Sequence, residues 1–186
     1  CSSDLWRMEK QYRNVLVLSA CQATLKTGGV TLVAITGLAG FALSADKAYA
    51  TVPLTCYVLG SAITTIPASL LMKAAGRRTG FQIGTGVGVI GAALCATAIW
   101  FAQFWLLCMG MMVFGCYTAF GKYYRFAAAD AADPNFRAKA ISLTLAGGII
   151  GGFVAPEMAK RTKDMFADHM FLGSYLSLIG VCIVAA

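Results

Sequence analysis

Six long apolar stretches fill almost all of this 186-residue chain, and the short loops between them are basic on alternate sides. A helix needs about 20 predominantly apolar residues to cross a bilayer. Spans are therefore expected at about 15–38, 50–72, 80–101, 104–124, 140–159 and 170–186. Hydrophobic residues make up 59% of the chain and charged residues 12%, about half the charged share of a soluble domain. In water such a chain would expose large apolar patches, and its length cannot hide six all-apolar helices. The expected fold class is an all-α membrane protein with six transmembrane helices.

The net charge of +7 has a membrane explanation, because Lys and Arg concentrate in cytoplasmic loops. Arg7, Lys10 and Arg13 flank span 1; Lys73, Arg77 and Arg78 follow span 2; Lys122, Arg125, Arg137 and Lys139 follow span 4. The other side holds Lys47 and the run Lys160, Arg161 and Lys163, the latter offset by Glu157, Asp164 and Asp168. This bias predicts a cytoplasmic amino terminus. No basic run with interleaved aromatics lies in a soluble segment, so no nucleic-acid partner is expected.

Six of the seven cysteines (Cys21, Cys56, Cys95, Cys108, Cys116 and Cys182) fall inside spans, where they act as small hydrophobes. Without a CxxC or a Cys/His cluster, no metal site, redox pair or cofactor is expected. Cys1-Ser2-Ser3 is read as the start of a piece lacking its initiator Met, and the first apolar stretch is too long, and lacks a cleavage region, for a cleavable signal peptide. Span 6 reaches the last residue with no polar flank, so the chain is expected to continue beyond Ala186.

Gly86-Val-Gly88-Val-Ile-Gly91 matches a dinucleotide-binding fingerprint. That motif works only where a strand turns into a helix, and here it lies in a lipid-length run. Gly80, Gly84 and Gly88 instead offer a small-residue face for close helix packing. Span 5 carries two glycine pairs, Gly147-Gly148 and Gly151-Gly152, on one flat face, and Pro156 then removes a backbone donor and invites a kink. The loop after span 2 reads Ser69-Leu-Leu-Met-Lys73-Ala-Ala-Gly76-Arg77-Arg78, which suits a short cytoplasmic hairpin.

Together these pieces resemble the major facilitator superfamily of secondary transporters. Six spans with the amino terminus inside match one of that family's two halves, the amino-terminal one. Gly76-Arg77-Arg78 sits where the family has its helix 2–3 signature, and the glycine run ending at Pro156 resembles its fifth-helix motif. Tyr124-Arg125-Phe126-Ala127 and Arg137-Ala-Lys-Ala-Ile-Ser142 look like the helix 4–5 connection of bacterial members. The family's loop signature usually opens with Gly and carries an acid three positions before its second Gly. Those positions are Ser69 and Lys73 here, and Ala155 stands before Pro156 where Gly is common. The resemblance implies that Gly76, Arg77, Arg78, Gly147, Gly148, Gly151, Gly152 and Pro156 serve conformational change. It also implies the bacterial inner membrane as location and a carboxy-terminal six-helix half as partner.

Lys26 reads as the only charge deep within a span. It lies roughly 18 Å along the helix from Asn14, at about 1.5 Å per residue, near the middle of a hydrocarbon core about 30 Å thick. A charge there costs about 2.5–3.5 kcal/mol on insertion scales. Ser19, Gln22 and Lys26 share a helical face, and Gly28-Gly29 follow where they can loosen the helix. Secondary transporters place substrate sites on such polar, weakened segments at mid-membrane. Lys26 is thus a candidate for contacting an anionic or polar solute, against a structural role paired to a carbonyl or acid. No Asp or Glu lies in any expected span, so coupling to a proton or another ion would use Lys26 or an acid from elsewhere. Lys122 and Arg125 at the end of span 4 are candidates for a cytoplasmic gate, against the simpler reading as anchors in an aromatic belt. His169 is expected as a solvated interface residue.

The expected function is transport of a small solute by alternating access, with no enzymatic chemistry. A half-size transporter acting as a homodimer and a non-transporting sensor or scaffold are the alternatives.

Overall fold

A computed structural model describes residues 2–44, 46–130, 132–134, 136–163 and 172–184. They form seven α-helices: α1 (Ser2–Leu43), α2 (Val52–Ala75), α3 (Arg77–Trp100), α4 (Phe104–Gly121), α5 (Tyr124–Asp130), α6 (Arg137–Lys163) and α7 (Leu172–Val184). Five segments are long and apolar enough to cross a membrane: Tyr12–Leu43, Lys47–Ala75, Arg77–Trp100, Phe104–Asp130 and Arg137–Thr162. A sixth apolar helix, Gly173–Ile183, is shorter. His169 and the start of the expected last span lie outside the described residues.

Apolar side chains cover the outside of the bundle as well as its interior. Phe153, Trp105 and Ile66 are 80%, 73% and 72% exposed. A helix apolar on every side suits lipid rather than water. The chain is an all-α, multi-pass membrane protein. Its interior centres on Leu32, Leu107, Met111, Phe114, Tyr117, Tyr175 and Leu178, all essentially fully buried. Within it the Thr36 and Tyr175 hydroxyls share a hydrogen bond at 2.9 Å.

Glycines set the closest approaches. On α3, a Cβ at Gly84, Gly88 or Gly91 would collide with Phe120, Tyr117 or Phe114 of α4, at 2.8, 2.8 and 2.7 Å. Of the fingerprint-like glycines, Gly88 thus meets the Tyr117 ring and Gly91 the Phe114 backbone, while Gly86 faces open space, all within one unbroken helix. A Cβ at Gly60 or Gly115 would likewise strike the facing backbone between α2 and α4.

The glycine face expected on the fifth span meets α1. A Cβ on Gly147 or Gly151 would strike the carbonyl of Ser19 or Ala23. Hydroxyls then bridge the seam: Ser19, Thr27 and Thr31 donate to the carbonyls of Leu143, Gly151 and Ala155 at 2.9, 3.1 and 3.1 Å. Each pair is separated by 124 residues, so α1 and α6 run parallel in fixed register. Gly152, by contrast, faces open space. Pro156 lies inside α6, which continues to Lys163.

One sequence expectation changes. Gly28-Gly29 do not interrupt α1, which is helical throughout Ser2–Leu43. Gly28 lies in ordinary van der Waals reach of Phe114 and Leu178, and Gly29 of the Tyr57 hydroxyl. Packing on these neighbours holds the helix where propensity would weaken it. The helical segment that begins at Phe104 runs past Tyr124. After a turn at Lys122–Tyr123 it resumes as α5 and reaches Asp130.

The basic segments gather at one end of the bundle. Tyr12 meets Phe136 edge-on at 4.7 Å between ring centres, and Arg77 forms an ion pair with Asp130. Gly76 makes the hairpin between α2 and α3 with φ of +87°, a conformation that favours a residue without Cβ.

Candidate functional site

A cavity of about 590 Å³ opens between α1, α2 and α4. Gln22, Leu25, Lys26 and Gly29 line it from α1; Tyr57 and Ser61 from α2; Thr118, Gly121 and Lys122 from α4 and its end. Apolar positions such as Val30, Val33 and Val58 complete the wall. Ser61 and Tyr57 are four residues apart, so one helical face presents both. The sequence reading passed over them because hydroxyl side chains in an apolar span carry no signal alone, although their spacing on one face was available.

Of the three α1 residues expected to share a polar face, Gln22 and Lys26 line the cavity. Ser19 turns away, bonded to Leu143. Gly148 lies behind Gln22 and Lys26: a Cβ there would stand 3.3 Å from Lys26 Cγ and 3.4 Å from Gln22 Cγ. The glycine seam with α6 therefore forms the floor on which both polar side chains rest. Gln22 is 6% exposed, and its Oε1 has no hydrogen-bond partner.

Lys122 and Arg125, expected to act together as a gate, are separated. Arg125 lies over the Phe126 ring, 4.9 Å from its centre. Lys122 lines the cavity, its Nζ donating to Ser61 Oγ at 2.9 Å. It stands at the turn between α4 and α5, in the apolar segment Phe104–Asp130. Lys26 is therefore not the only cation lining the cavity. Gly121 brings the two together, since a Cβ there would collide with Leu25, and the lysines are the next residues after that contact. Lys122 also caps the carboxy-terminal end of α4, where a cation suits the helix dipole. Tyr123 fixes the turn by donating its hydroxyl to the Thr65 carbonyl at 2.8 Å.

A second hollow, about 420 Å³, lies at the end that gathers the basic segments, lined by Ser69, Met72, Lys73, Arg77, Tyr123, Phe126 and Asp130. Of the loop read from the sequence, Ser69, Met72, Lys73 and Arg77 line it. Among the described residues no cluster of His, Cys, Asp or Glu suited to a metal ion occurs.

Comparison with known proteins agrees with this architecture. The chain is 36% identical over 165 residues to the riboflavin transporter RfnT of Brucella anthropi, covering 89% of this chain and 42% of that protein. Two proteins of Bacillus subtilis, the uncharacterized MFS-type transporters YdeG and YddS, are 28% and 29% identical. Those matches cover 94% and 64% of this chain, and 40% and 27% of the relatives. The chain belongs to the major facilitator superfamily. It spans less than half the length of the relatives it matches. No family model and no solved structure matches it.

Within the superfamily's helix 2–3 loop, this member carries Lys73 where an acid is usual. An acid is nevertheless present in the neighbourhood. Asp130, at the end of α5, forms an ion pair with Arg77 of that loop.

Proposed function

We propose that these helices form half of a secondary transporter that moves a small polar solute through the cavity between α1, α2 and α4 by alternating access. The observation that carries this reading is the convergence of Lys26, Lys122 and Gln22 on one cavity beside a break in the fourth span. Charges deep in a span are costly and mark solute paths, and interrupted helices supply mid-membrane sites. A carboxy-terminal six-helix half of the same protein forms the opposite wall. The amino terminus faces the cytoplasm, and the protein resides in the bacterial inner membrane. A proton or another ion drives the cycle. Gly76, Arg77 and Arg78 at the hairpin, and the seam of Gly147, Gly148, Gly151 and Gly152 ending at Pro156, carry the conformational change.

Riboflavin is the first solute to test, because the Brucella relative is named for its transport, and the solute panel includes its phosphate ester, since riboflavin itself carries no carboxylate or phosphate. The full-length protein is produced in a bacterial strain that neither makes nor takes up riboflavin. Uptake of labelled riboflavin and of a solute panel is followed with and without a proton gradient. Gradient-dependent uptake, lost in Lys26→Gln at equal membrane abundance, is the expected result. Flux of no solute in the panel overturns the transport reading, and wild-type flux in Lys26→Gln overturns the site.

A further inference from the structure

We propose that this cavity is an anion site in which Lys26 and Lys122 together hold a carboxylate- or phosphate-class group of the solute. The proposal rests on the reading of the cavity as the solute's path, and assigns Lys122 to binding.

Two observations carry it. The first is charge balance. Lys26 and Lys122 both line the cavity, and no Asp or Glu stands among its lining residues. The ammonium of Lys122 is met by the neutral hydroxyl of Ser61 at 2.9 Å, and neither lysine takes part in an ion pair among the described residues. Two like charges facing one cavity repel, and an anion between them removes that repulsion while supplying both counter-charges. The second is placement. The contact of Leu25 with Gly121 fixes α1 against the end of α4 immediately before each lysine. The cations thus sit at one level on adjacent backbones, and the turn at Lys122–Tyr123 lets the second leave the helix end toward the cavity. A lysine is a compact point charge with three donors on a flexible stem, so a pair of them can follow a carboxylate or phosphate oxygen as the walls move. The remaining lining, Tyr57 with Val30, Val33 and Val58, suits an apolar or aromatic body attached to that anionic group.

The test needs no knowledge of the solute. Ala62, exposed on the α2 wall, is replaced by Cys in the full-length protein with its native cysteines removed. The rates of labelling by 2-sulfonatoethyl methanethiosulfonate (anionic) and 2-(trimethylammonio)ethyl methanethiosulfonate (cationic) are compared in membranes. Each is normalised to its rate with a small free thiol. A cleft of one charge sign raises the local concentration of counter-ions by about tenfold or more. The anionic reagent is therefore expected to gain about tenfold over the cationic one. Lys26→Gln and Lys122→Gln should each remove part of that preference, and the double variant most of it. Ala34→Cys on the α1 wall repeats the measurement should Ala62→Cys fail to accumulate. A normalised ratio near one, a preference for the cation, or a ratio unmoved by the double variant overturns the anion site. So does failure of both thiols to react. Solute flux is measured separately: an anion preference without flux overturns the transport reading alone, and flux without the preference overturns the anion site alone.

Discussion

Thr27 of α1 donates its hydroxyl to the carbonyl of Gly151 in α6 at 3.1 Å, while the same hydroxyl lies 2.9 Å from the carbonyl of Ala23 in its own helix. The bond across the seam exists because Gly151 has no Cβ; one there would strike that Ala23 carbonyl. Gly151→Ala should therefore force the helices apart and cost about 1–3 kcal/mol, as overpacking does. Gly152→Ala, where space is open, should stay within about 0.5 kcal/mol. Thr27→Val should cost only about 0.6 kcal/mol, the usual worth of a hydrogen bond between membrane helices. Unfolding of the full-length protein in detergent measures all three. Equal losses at positions 151 and 152 would contradict the seam.

Two turns make predictions of opposite sign. Gly76 has φ of +87° and Ala102 has φ of +51°. Gly76 has ψ of 156°, a region that is essentially glycine-only and costs an L-residue about 1–3 kcal/mol; left-handed backbone costs one about 1–2 kcal/mol. Gly76→Ala should lower stability by that order, and Ala102→Gly should leave it unchanged or raise it. The same unfolding measurement decides, and a stabilised Gly76→Ala protein is incompatible with the hairpin described.

The Arg77–Asp130 pair is partly exposed, at 43% and 60%. Solvent and salt screen such pairs, which contribute up to about 1 kcal/mol. Arg77→Glu should lower stability by less than about 1 kcal/mol. The deficit should shrink at about 1 M salt, where the Debye length falls to about 3 Å. Arg77→Glu with Asp130→Arg should recover it. A deficit independent of salt and of the second reversal would show that Arg77 acts through another contact.

Stability and activity should part at Lys26. A charge at mid-span costs about 2.5–3.5 kcal/mol on insertion scales, so Lys26→Leu should insert at least as well as wild type and unfold no more easily. Its solute flux should nevertheless fall by tenfold or more (on the order of 1.4 kcal/mol). Quantitative membrane blots, unfolding and uptake on the same preparations test this. A destabilised Lys26→Leu protein with flux in proportion to its abundance would make the lysine structural.

Much of the architecture was legible because lipid allows few solutions. Long apolar runs could be nothing but spanning helices, and the glycines at 147–148 and 151–152 marked a flat face. The partner of that face was not legible, since four-residue spacing says that a helix is smooth without saying which helix lies on it. Ser19 illustrates the limit: its position grouped it with Gln22 and Lys26, yet its hydroxyl serves the α6 seam. Lys122 illustrates another. Together with Arg125 and three nearby tyrosines it looked like the cytoplasmic margin of a span, because cations and aromatic rings normally collect there. Ala127-Ala128-Ala129, an uncharged helix-forming run just beyond, was the available hint that the helical segment continued. Only packing could tell that the lysine turns inward. Gly28-Gly29 misled in the opposite direction, since side chains from α4 and α7 pack near Gly28 and Tyr57 of α2 packs near Gly29.

The separation of 124 residues between Thr27 and Gly151 also bears on biosynthesis. A ribosome adding about 5–20 residues per second reaches Gly151 roughly 6–25 s after Thr27. Throughout that interval α1 stands in the bilayer without its main neighbour. The Ala23 carbonyl, 2.9 Å from the Thr27 hydroxyl, gives that donor an acceptor within its own helix during the delay. The first helix is thus self-sufficient before its permanent neighbour emerges, and the late-arriving glycines dock against a surface already in order.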